Sequence, residues 1–282
     1  MAVEGFALKG QKDRTTCLRA IQRTYHAKIM ENDILRTSPI PLDLASVRIA
    51  LNMLNKETFK NGKDERDEVI LYSYWRSSCS WRVRIALALK NVDYAYVPIH
   101  LVKNEQMSDS YTSLNSSEEV PTLKIDGLVL NQSLSIIEYL DETRSGGVTL
   151  LPKDPATRAK VRQISDMVAQ AIQPIQNLRV LRKIMSWYDD DAMKQKRKVE
   201  WGRHWIAHGF AALEKVLTAT AGKYCVGDRV TMADLCLVPQ VYNANRFKVD
   251  MDKFPTINRV HSNLVVLEAF KKAHPDAQPD AQ

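Results

Sequence analysis

The segment that decides the fold and the site is Trp75-Arg76-Ser77-Ser78-Cys79-Ser80-Trp81-Arg82. Residues 69–74 before it form a short β-rich run, and residues 81–90 carry apolar side chains at helical spacing. The pattern therefore predicts a strand, a loop of small polar residues and a helix start. A helix N-terminus presents unpaired N–H groups and the positive end of the helix dipole, so it stabilises a nearby anion.

Three hydroxyls and one thiol lie at this predicted helix start, on Ser77, Ser78, Ser80 and Cys79. The hydroxyls can cap the helix, or they can donate hydrogen bonds to a bound thiolate. Taken alone, the segment does not decide between these two roles. A cysteine at a helix start can also have a lowered pKa and be reactive itself.

The elements that follow predict a small α/β domain. Residues 94–99 form a second β-rich run, and residues 121–130 predict a hairpin that turns at Asp126-Gly127. Residues 133–143 have the pattern of a helix that begins with small polar side chains. This order of strand, helix, strand, hairpin and helix predicts a sheet domain over residues 69–148.

The rest of the chain differs from this domain on both sides. Only helical patterns occur between residues 154 and 273, and they predict an all-helical domain over residues 149–282. Residues 1–68 form an N-terminal extension of mixed charge, partly helical or disordered. Its helical spacing falls at residues 42–54, and residues 61–68 have the composition of a polar linker.

Composition excludes several classes of protein. The net charge of +7 is spread along the chain, and its densest run, residues 194–198, directly follows Asp189-Asp190-Asp191. A mixed run of this kind is typical of a solvated helix face, so we expect no nucleic-acid partner. No apolar run approaches the roughly 20 residues that a membrane-spanning helix requires, so we expect no membrane span.

The cysteines and histidines predict no metal site. The four cysteines form no C-x-x-C pair, which argues against a zinc ribbon and a dithiol oxidoreductase. His204 and His208 are spaced by four residues on a predicted helix, but no third ligand accompanies them. Residues 1–30 lack an apolar signal region, so we expect a cytoplasmic protein. Their basic bias leaves a mitochondrial location open.

Two further motifs in the sheet domain can bind an extended ligand. In Val120-Pro121-Thr122, a proline before a strand can be cis and expose the backbone of the preceding residue for pairing with a peptide. Asn131-Gln132-Ser133 opens a predicted helix and so suits a carboxylate.

With the serine-rich segment, these motifs resemble the glutathione-binding half of a glutathione transferase, which has a thioredoxin-like fold. The chain is most similar to the zeta class, the maleylacetoacetate isomerases, from about residue 69 to about residue 279. The stretches that carry this resemblance are Ser77-Ser78-Cys79-Ser80-Trp81-Arg82-Val83-Arg84, Val120-Pro121-Thr122-Leu123, Asn131-Gln132-Ser133-Leu134, Gln173-Pro174-Ile175-Gln176-Asn177-Leu178 and Tyr224-Cys225-Val226-Gly227-Asp228.

The resemblance implies roles for individual residues. It implies that Ser77, Ser78 and Cys79 are catalytic, with the Ser78 hydroxyl bonded to the glutathione thiolate. The residues that it implies for cofactor binding are Ser77, Ser78, Cys79, Ser80, Trp81, Arg82, Gln106, Val120, Gln132, Ser133, Gln173, Asn177, Leu178 and Arg179. Those that it implies for substrate binding are Arg76, Gln173 and Arg246.

The implied reaction is the glutathione-dependent cis–trans isomerisation of maleylacetoacetate to fumarylacetoacetate in tyrosine and phenylalanine breakdown. The class also converts small α-haloacids and forms homodimers. A binding or scaffold module with reduced catalysis is the alternative. The chain departs from the class at Arg179, where the class usually has serine, and at Ser116-Ser117, where it often has proline.

Overall fold

The computed structural model describes residues 68–282. The predictions made for the extension, including the helix over residues 42–54 and nearly all of the linker, therefore lie outside the described residues.

A four-stranded sheet forms the first part of the described chain. Its strands are β1 (Ile70–Ser73), β2 (Ala95–Pro98), β3 (Thr122–Ile125) and β4 (Leu128–Asn131). The strand order is β2-β1-β3-β4, with β1 parallel to β2 and antiparallel to β3. Strands β3 and β4 pair Ile125 with Leu128 across the predicted Asp126-Gly127 turn. Gly127 has a φ of +76°, a conformation that glycine adopts without steric cost.

The remaining elements of the described chain are mainly α-helices. In chain order they are α1 (Ser78–Leu89), α2 (Asp109–Thr112), α3 (Ser133–Thr143), α4 (Pro155–Asp166), α5 (Leu178–Met185), α6 (Asp191–Thr220), α7 (Met232–Arg246), α8 (Pro255–Val265) and α9 (Glu268–Lys272). Helix α4 continues into a six-residue π-helical segment, Met167–Ile172. This architecture confirms the predicted fold class, an α/β part followed by an all-helical part. The boundary predicted at residue 148 stays a prediction.

Helix α1 begins three residues earlier than the hydrophobic spacing predicted, because Ser77 caps it. Its apolar face packs against α3 on one side and α7 on the other. Helix α7 is buried almost throughout and begins with a capping box formed by Thr231 and Asp234. In that box, the Asp234 carboxylate accepts hydrogen bonds from the backbone N–H groups of Thr231 and Cys225, at 2.7 and 2.8 Å.

A buried ion pair connects the C-terminal end of α1 to α3. Lys90 Nζ lies 2.6 Å from Asp141 Oδ1, and both side chains are almost fully buried. The Asp141 carboxylate also accepts the backbone N–H groups of Leu150 and Leu151, at 2.8 and 2.9 Å. The pair therefore joins the end of α1 to α3 and to the segment that leads into the helical part.

Candidate active site

The N-terminus of α1 shows which of its serines caps the helix, a point that the sequence left open. Ser77 is the cap, because its Oγ accepts a hydrogen bond from Ser80 N at 3.2 Å and its carbonyl accepts one from Trp81 N at 2.9 Å. Ser78 is the first residue of the helix and is 7% exposed. Since Ser77 satisfies the helix end, the Ser78 hydroxyl is not used as its cap.

Cys79 lies in the first turn of α1, but its thiol does not have the lowered pKa of a reactive cysteine at a helix start. Its thiol is free and half-buried. Burial raises the pKa of Cys79, and the opposing effect of the positive charge of Arg82 does not cancel this increase. The suggestion of a lowered pKa is therefore wrong, and Cys79 is protonated at neutral pH.

The segment that ends at Val120 presents free backbone groups beside this helix start. The Val120-Pro121 peptide bond is cis, and neither backbone group of Val120 bonds to another described residue. Two residues that the sequence reasoning missed fix the position of this segment through hydrogen bonds. Tyr111 Oη donates to Glu119 O at 2.6 Å, and Asn115 Nδ2 donates to the same oxygen at 2.8 Å. Both residues are buried, and only their contacts reveal this role.

Gln132 and Ser133 form a second helix N-terminus, that of α3. Gln132 has φ +67° and ψ 110°, an unfavourable conformation for a residue with a side chain. Strain of this kind is typical of ligand-binding positions. The adjacent Ser133 Oγ accepts a hydrogen bond from Arg82 Nη1 at 3.1 Å. Arg82 is 1% exposed, and its Nε and Nη2 have no partner among the described residues.

Gln106 and Trp81 occupy different surroundings, although the resemblance implied cofactor contacts for both. Gln106 is 7% exposed, and its buried Oε1 has no partner among the described residues. Trp81 is also buried, but its ring packs edge-on against Tyr242 and His274, at centroid distances of 5.5 and 5.2 Å. Trp81 therefore packs α1 against α7 and the C-terminal segment. Its proposed contact with the cofactor stays a prediction.

The helical part contributes the segment that runs from Gln173 into α5. Gln173 is 8% exposed and directly follows the π-helical segment. The side chain of Asn177 caps α5, of which Leu178 is the first residue. The ring of Trp201 donates from Nε1 to Ile175 O at 2.9 Å, which fixes this segment against α6.

Two arginines of α5 contact loops of the sheet domain. Arg179 Nε lies 3.3 Å from Glu119 Oε1. Arg182 donates from Nη1 to Asn104 Oδ1 at 2.7 Å and from Nη2 to Leu101 O at 3.0 Å. Helix α5 thus holds both the loop that carries Val120 and the loop that leads to Gln106. Sequence patterns contained no signal for these contacts.

The C-terminal segment fixes the loop that precedes Ser77. Trp75 N donates to Asp280 Oδ2 at 3.0 Å, and Trp75 O accepts from Arg84 Nη2 at 2.9 Å. Arg84 is 1% exposed and also donates from Nε to Ala273 O at 3.1 Å. Burial lowers the pKa of Arg84 to about 10, so it keeps its charge at neutral pH. Arg84 and Asp280 are positioning residues that the sequence reasoning did not identify.

The described residues contain no group of three potential metal ligands. The side chains of His204 and His208 are exposed on α6, and their rings stack at a centroid distance of 6.5 Å. In the same part of the chain, no helix is both long and apolar enough to cross a bilayer.

Comparison with known proteins identifies the family. The model of the glutathione S-transferase N-terminal domain matches residues 67–142, and that of the C-terminal domain matches residues 180–272. Maleylacetoacetate isomerase from Rattus norvegicus is 54% identical over 213 residues, which cover 75% of this chain and 94% of that protein. The chain belongs to the zeta-class glutathione transferases. Its sheet domain is thus the thioredoxin-like domain of that fold.

Solved structures of this class agree with the identification. A bacterial zeta-class glutathione transferase, maleyl pyruvate isomerase, superposes with a TM-score of 0.71 and is 40% identical, with 76% of this chain and 100% of that chain covered. Maleylacetoacetate isomerase from Methylobacterium extorquens AM1 also superposes with a TM-score of 0.71 and is 36% identical, with 76% and 99% covered. Its structure holds malonate and glutathione.

The residues of this zeta-class site fit glutathione. A tripeptide requires a partner for its own backbone, and Val120 offers an unpaired N–H and C=O. It also requires polar partners at its ends, and Gln106 Oε1 is buried without one among the described residues. Glutathione is therefore the cofactor of this enzyme.

Proposed function

We propose that the protein catalyses the glutathione-dependent isomerisation of maleylacetoacetate to fumarylacetoacetate. The observation that carries the proposal is the start of α1, where the Ser78 hydroxyl is not used as a cap and lies at a positive helix end. Bound glutathione supplies a thiolate, which reacts reversibly with a cis double bond and so permits its rotation.

Ser78 and the N-terminus of α1 together stabilise the thiolate form of the cofactor. A hydroxyl that donates a hydrogen bond to an anion lowers the pKa of the corresponding acid. The helix dipole acts in the same direction and decays within the first turn, where Ser78 lies. Because the Cys79 thiol stays protonated, it adds no competing negative charge to this position.

Backbone and polar groups orient the cofactor. Val120 pairs with the peptide groups of glutathione, and the helix start at Gln132 and Ser133 binds its γ-glutamyl carboxylate. Gln106 binds the opposite end. Tyr111 and Asn115 maintain the position of the Val120 segment through their bonds to Glu119 O.

Two arginines bind the carboxylates of the substrate. Arg76 lies two residues before Ser78, and its guanidinium packs 5.2 Å over the Trp75 ring. Arg246, the last residue of α7, donates from Nη1 to Asn243 Oδ1 at 3.2 Å and retains further donors. A guanidinium that binds a carboxylate through paired bonds holds it in a fixed orientation. The dicarboxylate malonate bound to the Methylobacterium relative supports a substrate of this class.

The scaffold alternative has less support. Relatives from Rattus norvegicus and Dictyostelium discoideum that cover about three quarters of this chain are named as isomerases. Ser78, Gln132, Ser133 and Arg246 are all present here. A glutathione-affinity pulldown combined with an isomerase assay separates the alternatives. A scaffold would bind glutathione without turnover.

The decisive experiment is a glutathione-dependent assay with maleylacetoacetate, alongside maleylacetone and dichloroacetate. We expect isomerisation of the two cis-alkene substrates that disappears when glutathione is omitted. Dichloroacetate tests the proposed activity on α-haloacids. The proposal would be contradicted if the protein binds glutathione but isomerises neither alkene.

The wider setting is proposed on the same basis. An isomerase of this specificity acts in tyrosine and phenylalanine catabolism, in the cytoplasm or in mitochondria. We also propose that it acts as a homodimer. Light scattering should then give about twice the chain mass of 32.1 kDa, and a value near the single-chain mass at micromolar concentration would contradict the dimer.

A further inference from the structure

Lys198 on α6 is a third cation, and its helix packs against the end of α7 that carries Arg246. We define Arg76, Lys198 and Arg246 as the cation cluster. Lys198 is half-buried on α6, at the end of the basic run that the sequence analysis interpreted as a solvated face. Among the described residues, no carboxylate oxygen lies within 4 Å of any cluster nitrogen.

Packing of α6 on the end of α7 places Lys198 in this group. Gly202 lies one turn after Lys198, and a Cβ at that position would overlap the Phe247 ring. The guanidinium of Arg246 lies 5.4 Å from the centroid of the same ring. Arg203 adds a hydrogen bond from Nε to Phe247 O at 3.2 Å. The face of α6 that carries Lys198 therefore packs where α7 ends in Arg246.

The same face of α6 also packs against residues 173–177 of the helical part. Trp201 lies three residues after Lys198 and donates its ring N–H to Ile175 O at 2.9 Å. Ile175 lies between Gln173 and Asn177. Residues three and four apart share one helix face, so Lys198 is on the side of α6 that packs against this segment.

The positive charges of the cation cluster repel one another, and the side chains of Lys198 and Arg246 are partly buried. Burial lowers the pKa of Lys198, and the positive charges of Arg246 and Arg76 lower it further. Partial desolvation and the charge of Arg76 likewise lower the pKa of Arg246. Three such cations without a carboxylate partner are unfavourable by themselves, and a bound anion with two charges relieves the repulsion.

We propose that Lys198 binds a carboxylate of the substrate together with Arg76 and Arg246 and sets the preference of this enzyme for dianions. This inference rests on the proposed function, whose substrate carries two carboxylates. It adds a specificity-determining residue from α6. A guanidinium pair orients one carboxylate, and the compact ammonium of a lysine adds a point charge for the second.

Malonate binding tests the inference without turnover. Titration calorimetry on the glutathione-loaded protein compares the wild type with Lys198→Met, which removes the charge and keeps the chain length. We expect the Kd for malonate to rise about tenfold, as for one lost charge-assisted contact. The Kd for glutathione should stay unchanged, and Lys198→Arg should restore malonate binding to within about threefold.

Lys196→Met is the matched control. Lys196 is exposed on the same helix and loses the same charge, so malonate binding should change less than about twofold. Equal losses in the Lys196 and Lys198 variants would show a general field effect and overturn the proposal. A wild-type protein that does not bind malonate, or a Lys198→Met protein that binds it normally, would also overturn it.

The two proposals can fail separately. If the wild type binds malonate through Lys198 but does not isomerise maleylacetoacetate, the dicarboxylate site stands and the proposed function fails. If the wild type isomerises the substrate and Lys198→Met leaves both the malonate Kd and the KM for maleylacetoacetate unchanged, only the role of Lys198 fails.

Discussion

Arg179 Nε lies 3.3 Å from Oε1 of Glu119, the residue that precedes Val120. Arg179 is thus engaged beside the segment that carries Val120. Its side chain is 70% exposed, so solvent screens its charge.

Replacing Arg179 by serine should have little effect. Arg179→Ser removes one exposed ion pair, which stabilises a protein by about 0–1 kcal/mol. We expect the KM for maleylacetoacetate to change by less than about threefold. Steady-state kinetics and thermal unfolding measure the two effects, and a tenfold change in that KM would place Arg179 among the substrate-binding residues.

Ser78→Ala should impair catalysis without impairing folding. Loss of one hydrogen-bond donor to a reacting anion typically lowers the rate by about 10²–10³. Ser77→Ala provides the matched comparison, because it removes the cap of α1 and should destabilise the protein by about 1 kcal/mol. Turnover assays should show the larger loss of rate for Ser78→Ala, and denaturant unfolding should show the larger loss of stability for Ser77→Ala. Normal turnover by Ser78→Ala would exclude the role assigned to it.

Arg246→Ala should weaken binding of the substrate more than binding of glutathione. A charge-assisted contact typically contributes about 1.5–3 kcal/mol, which corresponds to an increase of roughly 10- to 150-fold in KM. Arg246→Lys keeps the charge and should recover part of the loss. Equal increases in the two Michaelis constants would instead indicate that Arg246 is structural or binds glutathione.

Cys79 should react slowly with iodoacetamide at neutral pH. Burial raises its pKa above the ordinary value of 9.0, so the reactive thiolate is scarce at pH 7 and its fraction still increases above pH 9. Mass spectrometry of the alkylated peptide over a pH series measures this dependence. A rate that reaches its plateau below pH 8 would show a lowered pKa. Cys79→Ala should reduce turnover much less than Ser78→Ala.

Asp280→Ala should lower kcat although Asp280 is not among the residues assigned to the site. It removes the acceptors for Trp75 N and for Tyr96 Oη, which lie at 3.0 and 2.7 Å. Displacement of the loop before Ser77 should lower kcat on the order of tenfold. Asp276→Ala is the control, because among the described residues the one ion pair of this exposed carboxylate is with His274, on the same segment. Equal kcat values for the two variants would contradict a positioning role.

Local patterns predicted the order of the elements, an α/β part followed by helices, whereas the thioredoxin-like fold was predicted from the family resemblance. The β-rich run before Ser77 and the Asp126-Gly127 turn each depend on neighbouring residues, so the sequence contains the signal directly. The shift of the α1 start shows the limit of hydrophobic spacing, because a cap determines where a helix begins.

The contacts that fix the site could not be predicted in the same way. Glu119 and Arg179 are 60 positions apart, and Trp75 and Asp280 are 205 apart. No periodicity links such residues, since only the folded chain brings them together. Lys198 shows the same limit, because its charged neighbours in sequence are typical of a solvated run and its position relative to Arg246 depends on helix packing.

The bond between Trp75 and Asp280 gives the catalytic loop an order of assembly during synthesis. A ribosome that adds about 5–20 residues per second needs roughly 10–40 s to make the 205 residues between these two partners. Throughout that interval the loop before Ser77 lacks its hydrogen bond to the Asp280 carboxylate. The sheet domain can therefore fold early, whereas the geometry needed to ionise glutathione is completed only after the last helices have been translated.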